Sequence, residues 1–312
     1  MTETTGSKTE AAGSFEKGLA GSGGQVADFS HGVHRGPMDR LQHFLHAYPT
    51  MVPVFVLMVG VGTFGAIIGD RFFNAFTLTL IMQQVAIVGI VGIAQTLVIL
   101  TAGIDLSVGA IMVLSSVVMG NLAVTHGMPA PLALFCGLLT GTICGVVNGF
   151  LVALVRLPPF IVTLGTWFIF EAANFIYSQN ATIRAQDVEA SAPLLQFLGN
   201  TFRIGGAVFT YAVVAVVLLV ALFYYILNHT AWGRHVYALG DDPDAARLSG
   251  ISTRRVLISV YAVAGLICGF AGWALIGRLG SVSPTSGYEA NIQSITAVVI
   301  GGTSLFGGRG SV

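Results

Sequence analysis

Charged residues are scarce in this chain of 312 residues. They make up 9% of the sequence, whereas soluble domains carry about 25%. Hydrophobic residues make up 54%, and the mean hydropathy is +0.81. A water-soluble surface cannot be built from so few charges, so the composition predicts an integral membrane protein.

Lysine is almost missing, since Lys8 and Lys17 are the only two and both lie near the amino terminus. A Walker-type ATPase site needs the pattern G-x-x-x-x-G-K-[ST], in which the lysine contacts the phosphates. The chain contains no such pattern, which excludes an ATPase site of this type. We expect no cofactor in this chain itself.

Metal-binding and nucleic-acid-binding patterns are lacking as well. Cys136, Cys144 and Cys268 lie in apolar segments without C-x-x-C spacing or a nearby pair of histidines. We interpret them as small packing residues and expect no metal site. The formal net charge is zero, and no basic stripe is present, so we expect no nucleic-acid partner.

The amino-terminal 47 residues differ from the rest of the chain. They are rich in glycine, serine, threonine and histidine without a hydrophobic period, which predicts a disordered tail, residues 1–47. The first apolar run begins near Tyr48, too late for a secretory signal. We therefore expect a cytoplasmic tail, followed by one transmembrane domain over residues 48–312.

Eight apolar runs long enough for membrane helices follow the tail. A bilayer core requires about 20 apolar residues per helix, and the many glycines at helical spacing favour close helix packing over a barrel. The sequence predicts an all-α polytopic helical membrane bundle. The runs cover about 50–68, 76–100, 106–124, 131–155, 160–177, 208–227, 256–276 and 292–305.

The arginines predict the orientation, because short cytoplasmic loops are enriched in Lys and Arg. With the tail inside, the count of runs places Arg156, Arg234, Arg247, Arg254 and Arg255 inside as well. Residues 178–207 and 278–289 then lie on the outer side.

Asp105 and Ser107 stand between two apolar runs, bracketed by Gly103 and Gly109. An ionisable group at membrane depth indicates a functional site by default. The pattern predicts a broken helix, in which Gly103 releases one helix and Asp105 or Ser107 caps the next. Two interpretations stay open: a residue of a translocation path, or a simple helix cap at the membrane surface.

A related glycine pattern recurs near the end of the chain, at Gly301, Gly302, Gly307 and Gly308. Its core, G-x-[DS]-L-x-x-G, matches residues 103–109 and suggests an internal repeat, with a transport pathway at the interface of the two copies. About two more apolar runs follow the first copy, whereas the second is followed by a few residues. We therefore expect the natural product to continue past Val312, the chain here being truncated.

The predicted cytoplasmic loop, residues 229–255, contains the signals of a complete short helix. Asp242 suits the N-cap, Pro243 the first position, Asp244 the positive end of the helix dipole, Arg247 the last turn and Gly250 the terminator. A helix of two turns is marginal alone in water.

The remaining residues of this helix, Ala245, Ala246, Leu248 and Ser249, are small or apolar in part. The apolar ones require a surface to pack against. That surface is either the rest of this protein or a separate soluble subunit.

Six further polar residues within apolar runs raise the same question of a translocation path: Glu171, Asn174, Gln83, Gln84, Gln95 and Asn148. Glu171 and Asn174 are about one helical turn apart, so they could line a polar path. Alternatively, Glu171 reaches toward the outer water, and the amides join helices to each other.

Four stretches closely resemble the permease subunits of bacterial ABC importers for monosaccharides, of the ribose, xylose, arabinose and fructose type. They are QTLVILTAGIDLSVGAIMVL, VVNGFLVALVRLPPFIVTLGT, GRHVYALGDDPDAARLSGI and AVVIGGTSLFGGRGS, in collinear order. The whole sequence is most similar to fructose importer permeases.

The resemblance implies a permease of about ten helices that acts as a pair by alternating access and translocates a monosaccharide across the bacterial inner membrane. It implies ABC ATPase subunits in the cytoplasm, which bind ATP and Mg, and a periplasmic sugar-binding protein. It also implies that residues 243–249 form the coupling helix, which sits in a groove of the ATPase subunit, and that Asp105 matches the acidic residue of the family.

Two other classes of protein remain as alternatives. A self-powered secondary transporter or channel for a small polar solute would need titratable groups in the spans, for which Asp105 and Glu171 are the candidates. A membrane-embedded enzyme would need a paired base or a metal cluster, and no two histidines are paired inside a predicted span.

Overall fold

A computed structural model describes residues 51–69, 74–204 and 207–312. The predicted tail, residues 1–47, lies outside the described residues. The prediction of an all-α bundle is confirmed, since the described elements are helices apart from one small hairpin. The α-helices are α1 Met51–Ile68, α2 Ala75–Leu100, α3 Val108–Gly120, α4 Ala130–Ala153, α5 Pro159–Ser178, α6 Ala185–Ser191, α7 Tyr211–His229, α8 Ala231–Asp241, α9 Pro243–Leu248, α10 Thr253–Leu279 and α11 Ala290–Ile300.

Each of the eight predicted apolar runs forms a helix. Six are long and apolar enough to cross a membrane: Thr77–Leu100, Val108–Thr125, Ala130–Ala153, Pro159–Ser178, Tyr211–His229 and Thr253–Leu279. Two are shorter apolar helices, Phe55–Ile68 and Ala290–Ile300. The run 106–124 is helical from Val108 to Thr125 and ends in a π-helical turn, which agrees with the prediction to within two residues. The run 208–227 begins in a β-strand and is helical only from Tyr211, and the run 292–305 stops being helical at Ile300.

Glycines allow α4 and α10 to pack with their backbones in contact. A Cβ atom placed on Gly145 would lie 2.1 Å from the carbonyl oxygen of Tyr261, and one on Gly141 would lie 2.4 Å from that of Gly265. In the reverse direction, a Cβ on Gly265 would lie 2.2 Å from the carbonyl oxygen of Gly141. Small residues on facing helices are the usual basis of close packing in membranes.

The long helices alternate in direction, so the irregular segments gather at two ends. At one end, the N–H of Gly308 donates to the carbonyl of Leu100 at 3.0 Å, beside Gly240. We call this the Gly240 end, and it contains residues 100–103, 153–157, 229–255 and 301–312. At the other end, the amide of Gln196 donates to the carbonyl of Gly280 at 2.7 Å. We call this the Gln196 end, and it contains residues 121–129, 178–204, 207–210 and 279–289.

The Gln196 end carries the structured connection between α5 and α7. It consists of α6, a 3₁₀-helix over Pro193–Gly199, and an antiparallel hairpin of β1 Thr201–Ile204 with β2 Ala207–Thr210. An isolated bridge joins Ile183 to Val282. Through this bridge and the Gln196 hydrogen bond, the connection between α5 and α7 contacts the start of the segment 280–289, which links α10 to α11.

The helix α11 is too short to cross a bilayer alone. Its 11 residues span about 17 Å at about 1.5 Å per residue, against a hydrocarbon core of about 30 Å. The irregular segment 280–289 therefore extends from the Gln196 end to the middle of the bundle. Its backbone lies against protein, which is the condition under which irregular chain is tolerated at membrane depth.

Candidate functional site

A buried polar cluster occupies the break between α2 and α3, as the pattern around Asp105 predicts. Asp105 is 1% exposed, and its Oδ1 accepts hydrogen bonds from the N–H of Ser107 at 2.7 Å and from its hydroxyl at 2.6 Å. Asp105 thus binds the turn that precedes α3. Ser107 occupies the N-cap position of α3 without a side-chain capping hydrogen bond, and the Asp105 carboxylate accepts from Ser107 and not from an N–H of the first helical turn. The prediction that Asp105 or Ser107 caps α3 was therefore wrong. Both residues are enclosed by protein.

Two amide side chains from neighbouring helices complete this cluster. Asn148 of α4 donates to the hydroxyl of Ser107 at 2.8 Å. Gln95 of α2, with its amide nitrogen toward the Asp105 carbonyl, donates at 3.0 Å, and its oxygen accepts from the Asp105 N–H at 3.3 Å. These amides join α2, α4 and the break, so they act as interhelical contacts.

The start of α3 contacts the start of α11 through Asn291. The side-chain oxygen of Asn291, at the start of α11, accepts a short hydrogen bond from the N–H of Gly109 in the first turn of α3. A Cβ on Gly109 would lie 2.6 Å from that oxygen. Glycine is required here because the two segments meet at this point in the middle of the bundle.

Three buried polar atoms near this meeting point have no hydrogen-bond partner within the described residues. They are Oδ1 of Asn148, the hydroxyl of Tyr261 and Nδ2 of Asn291. Buried polar groups in proteins are nearly always satisfied, often by internal water. The middle of the bundle therefore has the capacity to bind water.

Asn174 and Glu171 face the segment 280–289. The amide of Asn174 donates to the carbonyl of Pro284 at 2.8 Å and to the hydroxyl of Tyr288 at 2.9 Å, and Asn174 is fully buried. Glu171, one turn earlier on α5, is half-buried. Gln83 and Gln84 lie on α2 and are also half-buried. The structure does not gather the predicted path residues into one chamber, and their role in translocation stays a prediction.

The helix α9 has the capping arrangement that its sequence predicts. The Oδ1 atom of Asp242 accepts from the N–H of Asp244 at 2.9 Å and from that of Ala245 at 3.0 Å. Pro243 stands at the start of the helix, and Gly250 follows it with φ +85°.

The apolar side chains of α9 are divided between the protein interior and the surface, and Ala245 is exposed. Ala246 is 4% exposed and packs inside this chain, whereas Leu248 is 89% exposed. Of the two surfaces that the sequence leaves open, Ala246 packs against the first, the rest of its own protein. Leu248 remains as the larger uncovered apolar side chain of the helix.

The helix α8 connects α9 to the end of α2 through Gly240. A Cβ on Gly240 would lie 1.8 Å from the carbonyl oxygen of Leu100 and 2.6 Å from the nitrogen of Gly308. The hydroxyl of Tyr237 donates to the carbonyl of Gly310 at 2.8 Å, and burial raises the pKa of Tyr237, which keeps it a donor. Gly240 has no sequence signal beyond its residue type.

The two glycine patterns end their helices in the same way. In the first, Ala102 has φ +58° and the N–H of Gly103 donates to the carbonyl of Val98 at 3.1 Å. In the second, Gly302 has φ +96° and the following N–H donates to the carbonyl of Val298 at 3.2 Å. The left-handed residue that ends α2 is therefore Ala102, and the prediction that Gly103 releases the helix was wrong by one residue. Gly302 corresponds to Ala102 in this geometry.

No group of three or more His, Cys, Asp or Glu side chains within residues 51–69, 74–204 and 207–312 could hold a metal ion. The polar groups of the site are amides, hydroxyls and single carboxylates, which donate or accept hydrogen bonds.

Comparison with known proteins gives matches along most of the chain. A family model described as "Branched-chain amino acid transport system / permease component" matches residues 77–308. The chain is 64% identical over 299 residues to the fructose import permease protein of Rhizobium meliloti, covering 96% of this chain and 82% of that protein. It is 35% identical over 277 residues to the ribose import permease protein of Bacillus subtilis, covering 89% and 80%. It is also 35% identical over 263 residues to the ribose import permease protein of Escherichia coli K12, covering 84% and 79%. No solved structure matches.

Proposed function

Since the chain belongs to the sugar-importing ABC permeases within the branched-chain amino acid transport system permease family, we propose that it translocates a monosaccharide by ATP-driven alternating access. It does so as the multi-pass membrane subunit of the importer. A fructose-like sugar is the first candidate because the relative that is 64% identical is a fructose import permease.

The orientation in the proposal follows from the distribution of arginine. The Gly240 end holds six arginines, Arg156, Arg234, Arg247, Arg254, Arg255 and Arg309, and the Gln196 end holds Arg184, Arg203 and Arg278. Cytoplasmic loops carry the excess of Lys and Arg. The Gly240 end and the amino terminus are accordingly cytoplasmic, in the bacterial inner membrane, and the Gln196 end faces the periplasm.

The proposed partners divide the work of transport. ABC ATPase subunits bind α9, within the coupling loop 229–255, and they bind and hydrolyse ATP with Mg. A periplasmic sugar-binding protein delivers the sugar at the Gln196 end, and a second copy of this chain completes the path. Leu248 supports the first contact, since an exposed leucine on a capped helix is a typical anchor for a hydrophobic groove.

The observation that carries the mechanism is the connection from α9 to the break at residues 101–107. The end of α8 is clamped between Leu100 and Gly308 by the close approach of Gly240. A displacement of α9 by the ATPase therefore moves the end of α2 with it. Asp105 and its hydrogen bonds lie directly after that point, where irregular backbone can change its dihedral angles more easily than a helix.

Reconstitution tests the proposal. The chain, the ATPase subunits and the sugar-binding protein are placed in liposomes, and uptake of radiolabelled D-fructose and D-ribose is measured with ATP inside. We expect sugar uptake that requires ATP, the sugar-binding protein and an ATPase subunit that can hydrolyse ATP. Equal uptake by liposomes that contain this chain alone would instead assign a self-powered transporter or channel.

A further inference from the structure

A cavity of about 310 Å³ opens at the Gln196 end between α2, α10 and the segment 280–289. Its floor is apolar and consists of the side chains of Ile87, Met112, Leu275 and Ala290, all of them buried. The floor therefore offers a dry surface at the bottom of an opening that faces away from the Gly240 end.

The rim of this cavity is polar. Gln84 of α2, Arg278 of α10, Glu289 and Gln293 line it. Within the described part of the chain, none of these four side chains forms a hydrogen bond or ion pair. Two amides, one guanidinium and one carboxylate are thus available to a solute, and their charges sum to zero.

Gly287 keeps the floor open. It has φ +108°, in the region that favours glycine, and a Cβ there would lie 2.9 Å from Cε of Met112 and 3.1 Å from Cδ2 of Leu275. The backbone of the segment 280–289 consequently lies directly on the floor. Any larger residue would push the segment outward and change the depth of the cavity.

We propose that this cavity is the periplasmic entry site for the sugar, which binds it as one neutral ring on release from the binding protein. The inference rests on the proposed function and names the residues of that path. A sugar ring has an apolar C–H face that suits the floor and hydroxyls that both donate and accept, as amides do. The volume lies at the small end of ligand pockets, about 300–1,000 Å³, and it fits a monosaccharide and not a longer oligosaccharide.

Uptake by the reconstituted importer tests the site. The variants Gln84→Leu and Gln293→Leu, combined, remove the two amides without adding charge, and Glu289→Gln keeps the shape of the side chain. Glu189→Gln on α6 and Thr296→Val on α11 are controls, since both residues are exposed and outside the cavity lining. Uptake is normalised to the amount of assembled transporter.

We expect the double variant to reduce uptake of D-fructose about tenfold or more and Glu289→Gln to change the ratio of D-fructose to D-ribose uptake by at least about threefold. Both controls should match the unmodified chain. If the unmodified importer takes up sugar and the cavity variants match the controls, the entry site is wrong while the proposed function holds. If the unmodified importer takes up no sugar, the proposed function itself fails.

A labelling experiment covers the case in which the double variant does not assemble. Ser286→Cys places a thiol on the rim, and Glu189→Cys places one at the same end outside the cavity. The rate of reaction with a charged methanethiosulfonate is measured on the assembled importer. We expect D-fructose, but not mannitol, to slow labelling at position 286 at least about threefold and to leave position 189 unchanged. Equal rates with and without D-fructose at position 286 would contradict the site.

Discussion

Asp105 could contribute to stability and transport through its hydrogen bonds or through its charge, and substitutions can separate the two. Its Oδ1 accepts two hydrogen bonds from Ser107, and an asparagine oxygen can accept both while carrying no charge. We expect Asp105→Asn to keep sugar uptake within about threefold of the unmodified chain. Asp105→Ala should lower stability by about 1–3 kcal/mol, because it leaves buried donors unpaired.

Thermal stability in detergent and uptake in liposomes are the two measurements for Asp105. A stable Asp105→Asn protein that has lost uptake would show that the charge itself takes part in transport. That result would favour a role for Asp105 in the translocation path, or in proton coupling, over a purely structural role in the turn before α3.

The glycines of the α4 and α10 contact provide a second prediction for single residues. In Gly145→Ala the added carbon would lie 2.1 Å from a backbone oxygen that cannot rotate away. We expect a loss of at least about 1–3 kcal/mol, the usual cost of overpacking. The matched control is Gly165→Ala on α5, where nothing lies within 4 Å of the new carbon. Equal melting temperatures for the two variants would contradict the packing.

At the scale of the element, α9 exposes Leu248, the side chain that we propose contacts the ATPase. Leu248→Asp places a charge where the proposed contact excludes water, and an unpaired buried charge costs several kcal/mol. We expect the variant to reach the membrane and to lose at least about nine-tenths of its ATPase subunits on purification in mild detergent. Ala231→Asp, an exposed position on the neighbouring α8, adds the same charge and should retain them.

For ATPase binding, the N-terminal cap of α9 should matter less than the proposed contact of Leu248. Asp242→Ala removes the acceptor of two N–H bonds, and the loss of such a cap costs about 0.5–2 kcal/mol. We expect weaker binding of the ATPase, restored by Asp242→Asn. The control is Asp241→Ala, because Asp241 is an exposed neighbour whose side chain accepts no capping hydrogen bond within the described residues. The affinity of the purified ATPase for the membrane subunit is the measurement, and equal affinities for the two alanine variants would argue against a coupling role for the helix.

At the scale of the whole molecule, the proposed coupling of ATP hydrolysis to transport depends on Gly240. Gly240→Ala would place a carbon 1.8 Å from the carbonyl oxygen of Leu100, so the end of α8 must separate from the end of α2. We expect ATP hydrolysis to continue while the number of sugars imported per ATP falls about tenfold. Gly165→Ala is the reference variant. If Gly240→Ala imports as many sugars per ATP as the reference, the movement of α9 does not reach the bundle through Gly240.

Much of the molecule could be predicted from the sequence, because hydropathy and capping are local properties. The eight apolar runs, the break near Asp105 and the capped helix α9 each depend on neighbouring residues. The resemblance to sugar importer permeases is confirmed by the family match over residues 77–308 and by the identity to a fructose import permease.

The remaining features depend on contacts between distant residues. Asn291 accepts from Gly109 across 182 positions, and neither residue has a local signal for the other. The helix α9 has fewer than two turns, so its sequence could not decide whether Ala246 or Leu248 faces its own protein. The cavity at the Gln196 end was missed because Arg278, Glu289 and Gln293 lie outside or at the margin of the apolar runs.

The close contact of α4 with α10 has a consequence for how the bundle can move. Backbones that touch without intervening side chains have no layer that could reorganise, so the two helices cannot slide or rotate past each other. The segment 249–252 joins α9 to the first turn of α10, so we expect the three helices to move together. In the proposed alternating-access cycle, α4 and α10 would tilt as a unit, with hinges in 101–107 and 280–289. Spin labels on α4 and α10 should therefore keep a constant separation through the ATP cycle, while their distances to α2 change.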